Sequence, residues 1–533
     1  MAVKKSGANK GVGTGGSTRR RRRPPELLAG IDVGSTAMRM KIAEYAPEAP
    51  IRVIEELTYP ISTGADSFRH QYILPETLTS ICCGILDKFM RLLDDYGVQH
   101  RRAVGSSAIR EATNREILVD RIRHSSGLEL EILDAVEESR LAYQALLPWL
   151  RQHPNTYSMA LNLGGGSTEI MILRGEDLQI GGAKHLGTAR LFHAAAQGGS
   201  QNRAELLRAM AANMVNSTSE AYRDYNITEF FLINRILYRA FRNDHAAERH
   251  ESDFVLSAEA LRERVRDAMA LSPLELGDKF NMGLAEIELL VPAMVILDNF
   301  VAAASVETVT FTDTEMLTGL LLEMGMIIQG QSPLMAFRRQ MVRSARAVGE
   351  QYFYDRTHSR AVTEFALCLF DALRGLLDLD DKDRLLLEVA SVLHDIGSYV
   401  SERRHERHSA YLIRWSNIVG LNENDRVVAS QIAFYHRGEL PSSEHPGFTA
   451  LSREERIRVS KLAGILRMAD VLDRGHAQDV RALRAEVQED KLVLYLEISG
   501  DLGIIQDALP RKSDLLSRVT GLPIVLHREM PRL

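Results

Sequence analysis

Two glycine-rich segments, each carrying an acidic residue at a fixed place, constrain this chain more than any other feature. The first is Gly30-Ile31-Asp32-Val33-Gly34-Ser35-Thr36 and the second is Leu161-Asn162-Leu163-Gly164-Gly165-Gly166-Ser167-Thr168-Glu169. Each ends an apolar strand-like run and leads into another, Met38 to Tyr45 and Ile170 to Leu173. The pattern predicts a strand, a tight glycine turn and a second strand, twice over. Glycine lets the backbone approach a ligand closely and turn its N–H groups inward, which makes an anion cradle without a basic side chain. The turns lie about one domain length apart. Two similar lobes can therefore close their turns over one phosphate chain.

The rest of the chain divides at readable places. Strand-like runs (Leu27–Val33, Met38–Tyr45, Arg52–Thr58, Arg102–Gly105, Glu129–Asp134) mix with helical ones (Pro75–Asp95, Glu137–Arg151) up to the turn signal His153-Pro154-Asn155. A second lobe restarts at Ser158 and turns helical, with a late strand at Thr308–Thr312 and a helix at Glu315–Met326. Gly330-Gln331-Ser332-Pro333 reads as a linker, and a nearly all-helical stretch follows. Alternation over Val480–Ile498 predicts strands in the tail. The expected division is an arm over 1–26, lobes over 27–153 and 154–330, a helical domain over 331–480 and a tail over 481–533.

Composition narrows the class. At 533 residues with 45% hydrophobic content, three or four domains with real cores are expected. No uninterrupted apolar run reaches membrane-span length, so no membrane partner is expected. Three cysteines, two of them adjacent (Cys82, Cys83), offer no disulfide framework, so a reducing cytoplasm is the simplest compartment. Residues 1–25 hold eight basic residues (Lys4, Lys5, Lys10, Arg19 to Arg23) and no acid, which leaves 57 basic against 71 acidic residues in the body. Such an arm reads as disordered and as able to contact nucleic acid or polyphosphate by counterion release. An acidic body that handles phosphate needs local positive sites or metal ions.

The paired turns resemble the two phosphate loops of the superfamily of acetate and sugar kinases, heat-shock chaperone ATPases and actin. More specifically, the chain resembles the exopolyphosphatase and guanosine pentaphosphate phosphatase (Ppx/GppA) family. Ser106-Ser107-Ala108-Ile109-Arg110-Glu111-Ala112-Thr113-Asn114, Ala135-Val136-Glu137-Glu138-Ser139-Arg140 and Leu186-Gly187-Thr188-Ala189-Arg190-Leu191 are similar to family segments in the same order. The resemblance runs from about Leu27 to His476. It implies an α/β fold of two actin-like (ribonuclease H-like) lobes, followed by an all-helical domain and a small α/β tail. It implies Mg²⁺-dependent cleavage of phosphoanhydrides, in inorganic polyphosphate or in guanosine pentaphosphate. A homodimer is the expected assembly.

Cleaving a phosphoanhydride requires a neutralised phosphate chain, a water placed in line and a base beside it. The N–H groups of Gly34, Ser35, Thr36, Gly164, Gly165, Gly166 and Ser167 suit phosphate oxygens. Asp32 and Glu169, at the mouths of the turns, suit Mg²⁺, with Asn162 as a neutral third ligand where the family has aspartate. Arg110 suits a bidentate phosphate contact. The resemblance implies Glu137 as the water-activating base, with Glu138 as the neighbouring alternative. Further departures weigh against full activity. Thr36 and Ala37 replace an Asn-Ser pair of the first loop. Leu232-Ile233-Asn234-Arg235-Ile236 stands where the family has a glycine- and threonine-rich loop. Leu284-Ala285-Glu286 replaces an Asp-Arg-Ala segment.

The helical stretch resembles the histidine–aspartate (HD) metal-dependent phosphohydrolase fold. His358, His394, Asp395, His408, His436 and Asp470 follow in the implied order, with His405 in the same segment as His408. Imidazole and carboxylate together suit Mn²⁺, Zn²⁺ or Fe. A hydrogen-bonded network that needs no ion is the competing account. Two further readings of function stay open at this point. One is a weakened sensor that binds polyphosphate or the guanosine phosphates. The other places the working phosphohydrolase in the HD-type domain.

Overall fold

The computed structural model describes residues 25–47, 51–61, 74–196, 203–250, 253–499 and 503–529. The basic residues of the arm, Lys4 to Arg23, lie outside the described residues.

Each glycine segment folds as the turn of a β-hairpin, and each hairpin seeds a sheet. In the first lobe β1 (Glu26–Val33), β2 (Ala37–Tyr45) and β3 (Arg52–Pro60) form an antiparallel meander. β4 (His100–Gly105) and β5 (Leu130–Ile132) then add in parallel on the other side of β1, giving the order β3-β2-β1-β4-β5. The second lobe repeats this plan. Its meander is β6 (Tyr157–Leu163), β7 (Thr168–Arg174) and β8 (Asp177–Lys184), and β9 (Glu229–Ile233) adds in parallel to β6. β10 (Glu248–His250), β11 (Asp253–Ser257) and β12 (Thr308–Phe311) extend the sheet to β10-β11-β12-β9-β6-β7-β8, in which β12 takes the place that β5 has in the first lobe. The inner strands β1, β6 and β7 are buried along most of their length and apolar at most positions, as strands covered on both faces are.

Two helices cross between the lobes. Helix Ala135–Leu150 starts at Asp134, whose side chain accepts from the N–H groups of Val136 and Glu137. Helix Met316–Ile328 returns from the second lobe and buries Leu317, Leu320 and Leu321 against Leu28 and Leu141 of the first. The crossing is close: a Cβ on Gly319 would lie 2.0 Å from the carbonyl oxygen of Leu141. Helix Leu284–Ala304 is long and apolar enough to cross a membrane, but Ile287, Leu290, Phe300 and their neighbours are buried in the core of the second lobe.

Helices Pro333–Gln351, Arg356–Leu377, Asp381–Leu393, His405–Trp415, Glu423–Phe434 and Arg453–Leu472 pack as a bundle around one apolar core. That core also takes in Tyr143, Leu146 and Leu150, so the first crossing helix is shared with the bundle. The tail forms a three-stranded sheet of β13 (Val480–Val487), β14 (Leu492–Ile498) and β15 (Ile524–Glu529), with the bundle packed against it.

Candidate functional site

The hairpin register sets the first site. It places Asp32 opposite Arg39 in one lobe and Asn162 opposite Glu169 in the other. Arg39 reaches Asp32 Oδ2 at 3.2 Å, and Asp32 Oδ1 is buried with no hydrogen-bond partner. Glu169 accepts from Ser167 Oγ at 2.7 Å and from Asn162 Nδ2 at 2.7 Å. Asn162 thus holds Glu169 with its amide nitrogen, leaving only Oδ1 for a cation. The turns close identically: Gly34 N–H donates to the Ala37 carbonyl at 3.0 Å and Gly164 N–H to the Ser167 carbonyl at 2.9 Å. Gly34 and Gly164, expected to bind phosphate through their N–H groups, use them inside the turn. The tip residues Ser35, Thr36, Gly165 and Gly166 are left for that task. The two tips face each other so closely that a Cβ on Gly165 would lie 2.8 Å from Ser35 Cβ and 2.9 Å from Thr36 Cγ2.

The structure places Glu138, and not Glu137, in the cleft. Glu137 turns away from the cleft. Its Oε2 accepts from Asp134 N–H at 3.0 Å, completing a capping box, and it lines a separate cavity with Arg140, Glu323 and Lys382. Glu138 lines the cleft with Asp32, Asn162 and Glu169. It pairs with Arg110, whose guanidinium also donates to the Leu133 carbonyl at 2.7 Å. Arg110 therefore meets Glu138 rather than standing free for phosphate. The Asp134-x-x-Glu137 spacing is itself a capping-box signature, and it could have removed Glu137 from consideration.

Several cleft residues were not foreseen. Arg39 is one. Glu315 is another: it accepts from Arg235 at 2.7 Å and stands 3.7 Å from Lys41. Ser107 Oγ lies 3.2 Å from Ser35 Oγ. The loop without glycine does crowd the cleft. Ile233, Asn234, Arg235 and Ile236 line it, and Asn234 caps helix Arg235–Phe241 by accepting from Leu237 N–H at 2.8 Å. The Leu284-Ala285-Glu286 segment only starts a helix, with Glu286 paired to Arg239. The cavity that remains between the lobes is about 110 Å³.

Three buried carboxyls share this cavity and all titrate high. Burial raises Asp32 to about 6 against the pull of Arg39. Burial also raises Glu169, against Ser167 and Arg110, and it raises Glu138 further, with the Glu169 charge adding to it and Arg110 opposing. An all-oxygen donor set with an unpartnered Asp32 oxygen fits a hard divalent cation such as Mg²⁺.

A second cluster gathers in the bundle. His358 Nε2 and His394 Nε2 are 3.2 Å apart, and Asp470 Oδ1 is 3.7 and 3.8 Å from them. Asp395 lies between this group and a second pair, with Oδ1 2.9 Å from His405 Nε2 and 3.4 Å from His436 Nε2. That Asp395 oxygen is buried and accepts no well-aligned hydrogen bond. His408 is not in the cluster; His405, one turn earlier, takes its place. The groups that hold these histidines from behind were also unforeseen. His358 Nδ1 meets Asp473 at 2.9 Å, while His394 and His436 donate from Nδ1 to the carbonyls of Ser391 and Ala433 at 2.8 and 2.6 Å. Those bonds turn the Nε2 lone pairs of His394 and His436 inward, as for metal-ligating histidines. Lys512 holds Asp470 Oδ2 at 2.7 Å, leaving Oδ1 toward the histidines.

Here the carboxylates titrate low. Burial opposes it, but His394, His405 and His436 hold Asp395 far below the usual carboxylate range, and Lys512 and His358 do the same for Asp470. Burial brings His394 down to about 4, whereas Asp470 and Asp473 outweigh burial and raise His358 to about 10.

Comparison with known proteins gives one consistent family. Residues 57–325 match the Ppx/GppA phosphatase family and residues 340–513 match Ppx/GppA phosphatase, domain III. A guanosine-5'-triphosphate,3'-diphosphate pyrophosphatase of Photobacterium profundum is 25% identical over 526 residues, which is 94% of this chain and 98% of that one. The protein of the same name from Vibrio vulnificus is 22% identical, over 83% of this chain and 86% of its own. The crystal structure of an exopolyphosphatase from Cytophaga hutchinsonii superposes with a TM-score of 0.51 at 17% identity, covering 58% of this chain and 99% of that one, and shows the shared two-lobed fold.

Proposed function

Because the chain belongs to the Ppx/GppA phosphatase family, we propose that it hydrolyses phosphoanhydrides in the cleft between its lobes, releasing terminal phosphate from inorganic polyphosphate or converting guanosine pentaphosphate to tetraphosphate. The observation that carries this reading is the convergence of Asp32, Glu138 and Glu169 on the two facing glycine turns. Mg²⁺, held by Asp32 and Glu169, neutralises phosphate charge when bound. The N–H groups at Ser35, Thr36, Gly165 and Gly166 cradle the terminal phosphoryl group. Arg39 and Arg110 hold two of the acids in place and add positive charge. Glu138 takes the proton of the attacking water, and its raised pKa brings it near the working range of a general base. The three cysteines are free, which fits a reducing cytoplasm.

The test is phosphate release with Mg²⁺ from polyphosphate and from guanosine pentaphosphate, comparing Glu138→Gln with Glu137→Gln. Loss of a general base costs about 10²–10⁴ in rate, so Glu138→Gln should lose at least about a hundredfold. Glu137→Gln should stay within a few fold. Equal rates in both variants would sink the assignment.

One observation favours a second centre in the bundle. His394 Nε2 presents a lone pair to His358 Nε2 at 3.2 Å, a contact that needs a proton or a cation between the two nitrogens. We read the cluster as a transition-metal site for Mn²⁺, Zn²⁺ or Fe, with His358, His394 and Asp470 in one group and Asp395, His405 and His436 in another, and with Asp395 also 3.6 Å from His358 and 3.7 Å from His394. Such ions supply Lewis acidity toward a phosphate ester. Elemental analysis after preparation with Mn²⁺ or Zn²⁺ tests it, and absence of metal would leave a hydrogen-bonded network.

A further inference from the structure

The bundle cluster opens into a cavity of about 580 Å³ whose lining includes four aromatic residues. Tyr352, Phe353, Tyr354 and Tyr399 line it. Phe353 is 82% exposed and Tyr399 59% exposed, so two large rings stand in water beside a polar site. They are not loose surface residues. The Phe353 ring is near-parallel to Tyr399 (5.9 Å between centroids, 23° between planes), and Tyr352 meets Tyr399 edge-on at 5.7 Å. Phe353 also sits at φ +51°, a left-handed backbone that a bulky residue adopts only under constraint. The turn between helices Pro333–Gln351 and Arg356–Leu377 thus holds a ring outward in a strained conformation. Burial gains nothing from that arrangement.

Basic and polar groups line the cavity together with the rings and the cluster. Arg437, Arg474 and Lys512 line the same cavity, and Glu402 and Ser398 stand on its wall. Among the described residues the Arg437 side chain hydrogen-bonds only the His405 ring, at 3.2 Å, and the Arg474 side chain makes no hydrogen bond or ion pair. Exposed parallel rings bind planar bases, and arginines beside a metal cluster bind phosphate. A purely apolar ligand would leave these charges unanswered, and a bare phosphate chain would leave the rings unused.

We propose that this cavity is a nucleotide site: the base stacks on the Phe353–Tyr399 ledge, and the phosphate meets Arg437, Arg474 and the His/Asp cluster. The inference rests on the reading of the cluster as a metal site. It is separate from the cleft between the lobes, where backbone turns hold the phosphate and no aromatic side chain among the described residues lines the wall.

The test uses the full chain loaded with Mn²⁺. Binding of adenosine and guanosine 5'-monophosphate is compared with binding of ribose 5-phosphate, which lacks only the base. Stacking contributes about 1–3 kcal/mol per base, so either nucleotide should bind at least about fivefold more tightly than the sugar phosphate. Phe353→Ala and Tyr399→Ala should erase that preference while leaving Mn²⁺ content and ribose 5-phosphate binding unchanged. His394→Ala should remove the metal and weaken both ligands. Equal binding of nucleotide and sugar phosphate by metal-loaded protein, or a preference that survives both ring substitutions, overturns the nucleotide site alone. A protein that takes up neither Mn²⁺ nor, in a parallel preparation, Zn²⁺ overturns the metal reading and this inference with it.

Discussion

The cleft and the bundle each bury carboxylates beside cationic side chains, yet their acids titrate in opposite directions. In the cleft, Asp32, Glu138 and Glu169 are pushed up because three acids share one small cavity and two arginines do not offset their burial. In the bundle, Asp395 and Asp470 are pulled down because four histidines and Lys512 surround two acids. Burial acts against the anion in both places, and the local count of opposite charge decides which effect wins. The cleft is therefore short of positive charge until a cation or a proton arrives. The bundle is compensated already, so a metal there must displace the proton between His358 and His394. This difference fits a hard, exchangeable ion in one site and a tightly held transition metal in the other.

The largest expected effect breaks the two sites apart. Glu138→Gln should cut phosphate release by about 10²–10⁴ and leave bound transition metal unchanged. His394→Ala should empty the bundle of metal and leave release within a few fold. Loss of both properties in either variant would mean one joined centre. A link does exist in the structure: Asn422 Nδ2 of the bundle donates to Asp134 Oδ2 at 2.6 Å, at the cap of the helix that carries Glu138.

The next effect tests how closely the turns must meet. Gly165→Ala places a Cβ 2.8 Å from Ser35 Cβ and 2.9 Å from Thr36 Cγ2, so the tips must shift apart. Misplacing a reacting group by about 1 Å costs about a hundredfold, and a loss of about tenfold in release is expected here. Gly182→Ala meets nothing within 4 Å and should be silent. Metal content in the bundle should not respond to either substitution. A Gly165→Ala enzyme of full activity would show that the turns work at a wider separation.

The paired turns, their acids and the change to a helical C-terminal part were legible because each is local. A glycine turn between apolar runs states its own geometry, and helix spacing repeats along the chain. Which neighbour faces the site was not legible. Glu137 and Glu138 differ by about 100° around a helix, and Asp134 and the packing of Leu141 and Leu146 decide which one faces the cleft. His405 and His408 lie a turn apart, and the start of helix His405–Trp415 after a left-handed Arg404 puts only His405 on Asp395. Arg39 became a site residue through strand register. Glu315 and Arg235 became site residues because a helix and a loop from distant sequence converge there.

The pH response should differ between the sites in sign. Glu138 titrates higher in the folded protein than its ordinary 4.5, rising to about 8. The folded state thus binds more protons, so this contribution to stability is complete below about pH 4.5 and is lost as pH rises through about 8. Asp395, held low, behaves oppositely and loses its contribution only as pH falls below the ordinary carboxylate range. In metal-free protein, the thermal midpoint should fall between pH 5 and pH 8, and Glu138→Gln should flatten that fall. Mg²⁺ should stabilise the protein more at pH 8 than at pH 5. A midpoint that rises over this range in wild type and variant alike would contradict the charge-poor cleft.

The smallest effect concerns Asn162, the neutral partner of Glu169. Its Nδ2 donates to Glu169 Oε2 at 2.7 Å. Asn162→Asp replaces that donor with a second carboxylate, so two acids face each other where one hydrogen bond stood. Without a cation the pair repels, Glu169 holds its proton to higher pH and the metal-free protein loses stability. With Mg²⁺ between them, the added charge strengthens coordination, and ion binding returns the stability by mass action. The expected outcome is a few-fold fall in the Mg²⁺ needed for half-maximal phosphate release, together with a lower thermal midpoint only when Mg²⁺ is absent. Transition-metal content should stay as in the wild type, because the bundle ligands are untouched. An unchanged Mg²⁺ titration would place the ion away from Asn162 and leave Asp32 as its remaining anchor.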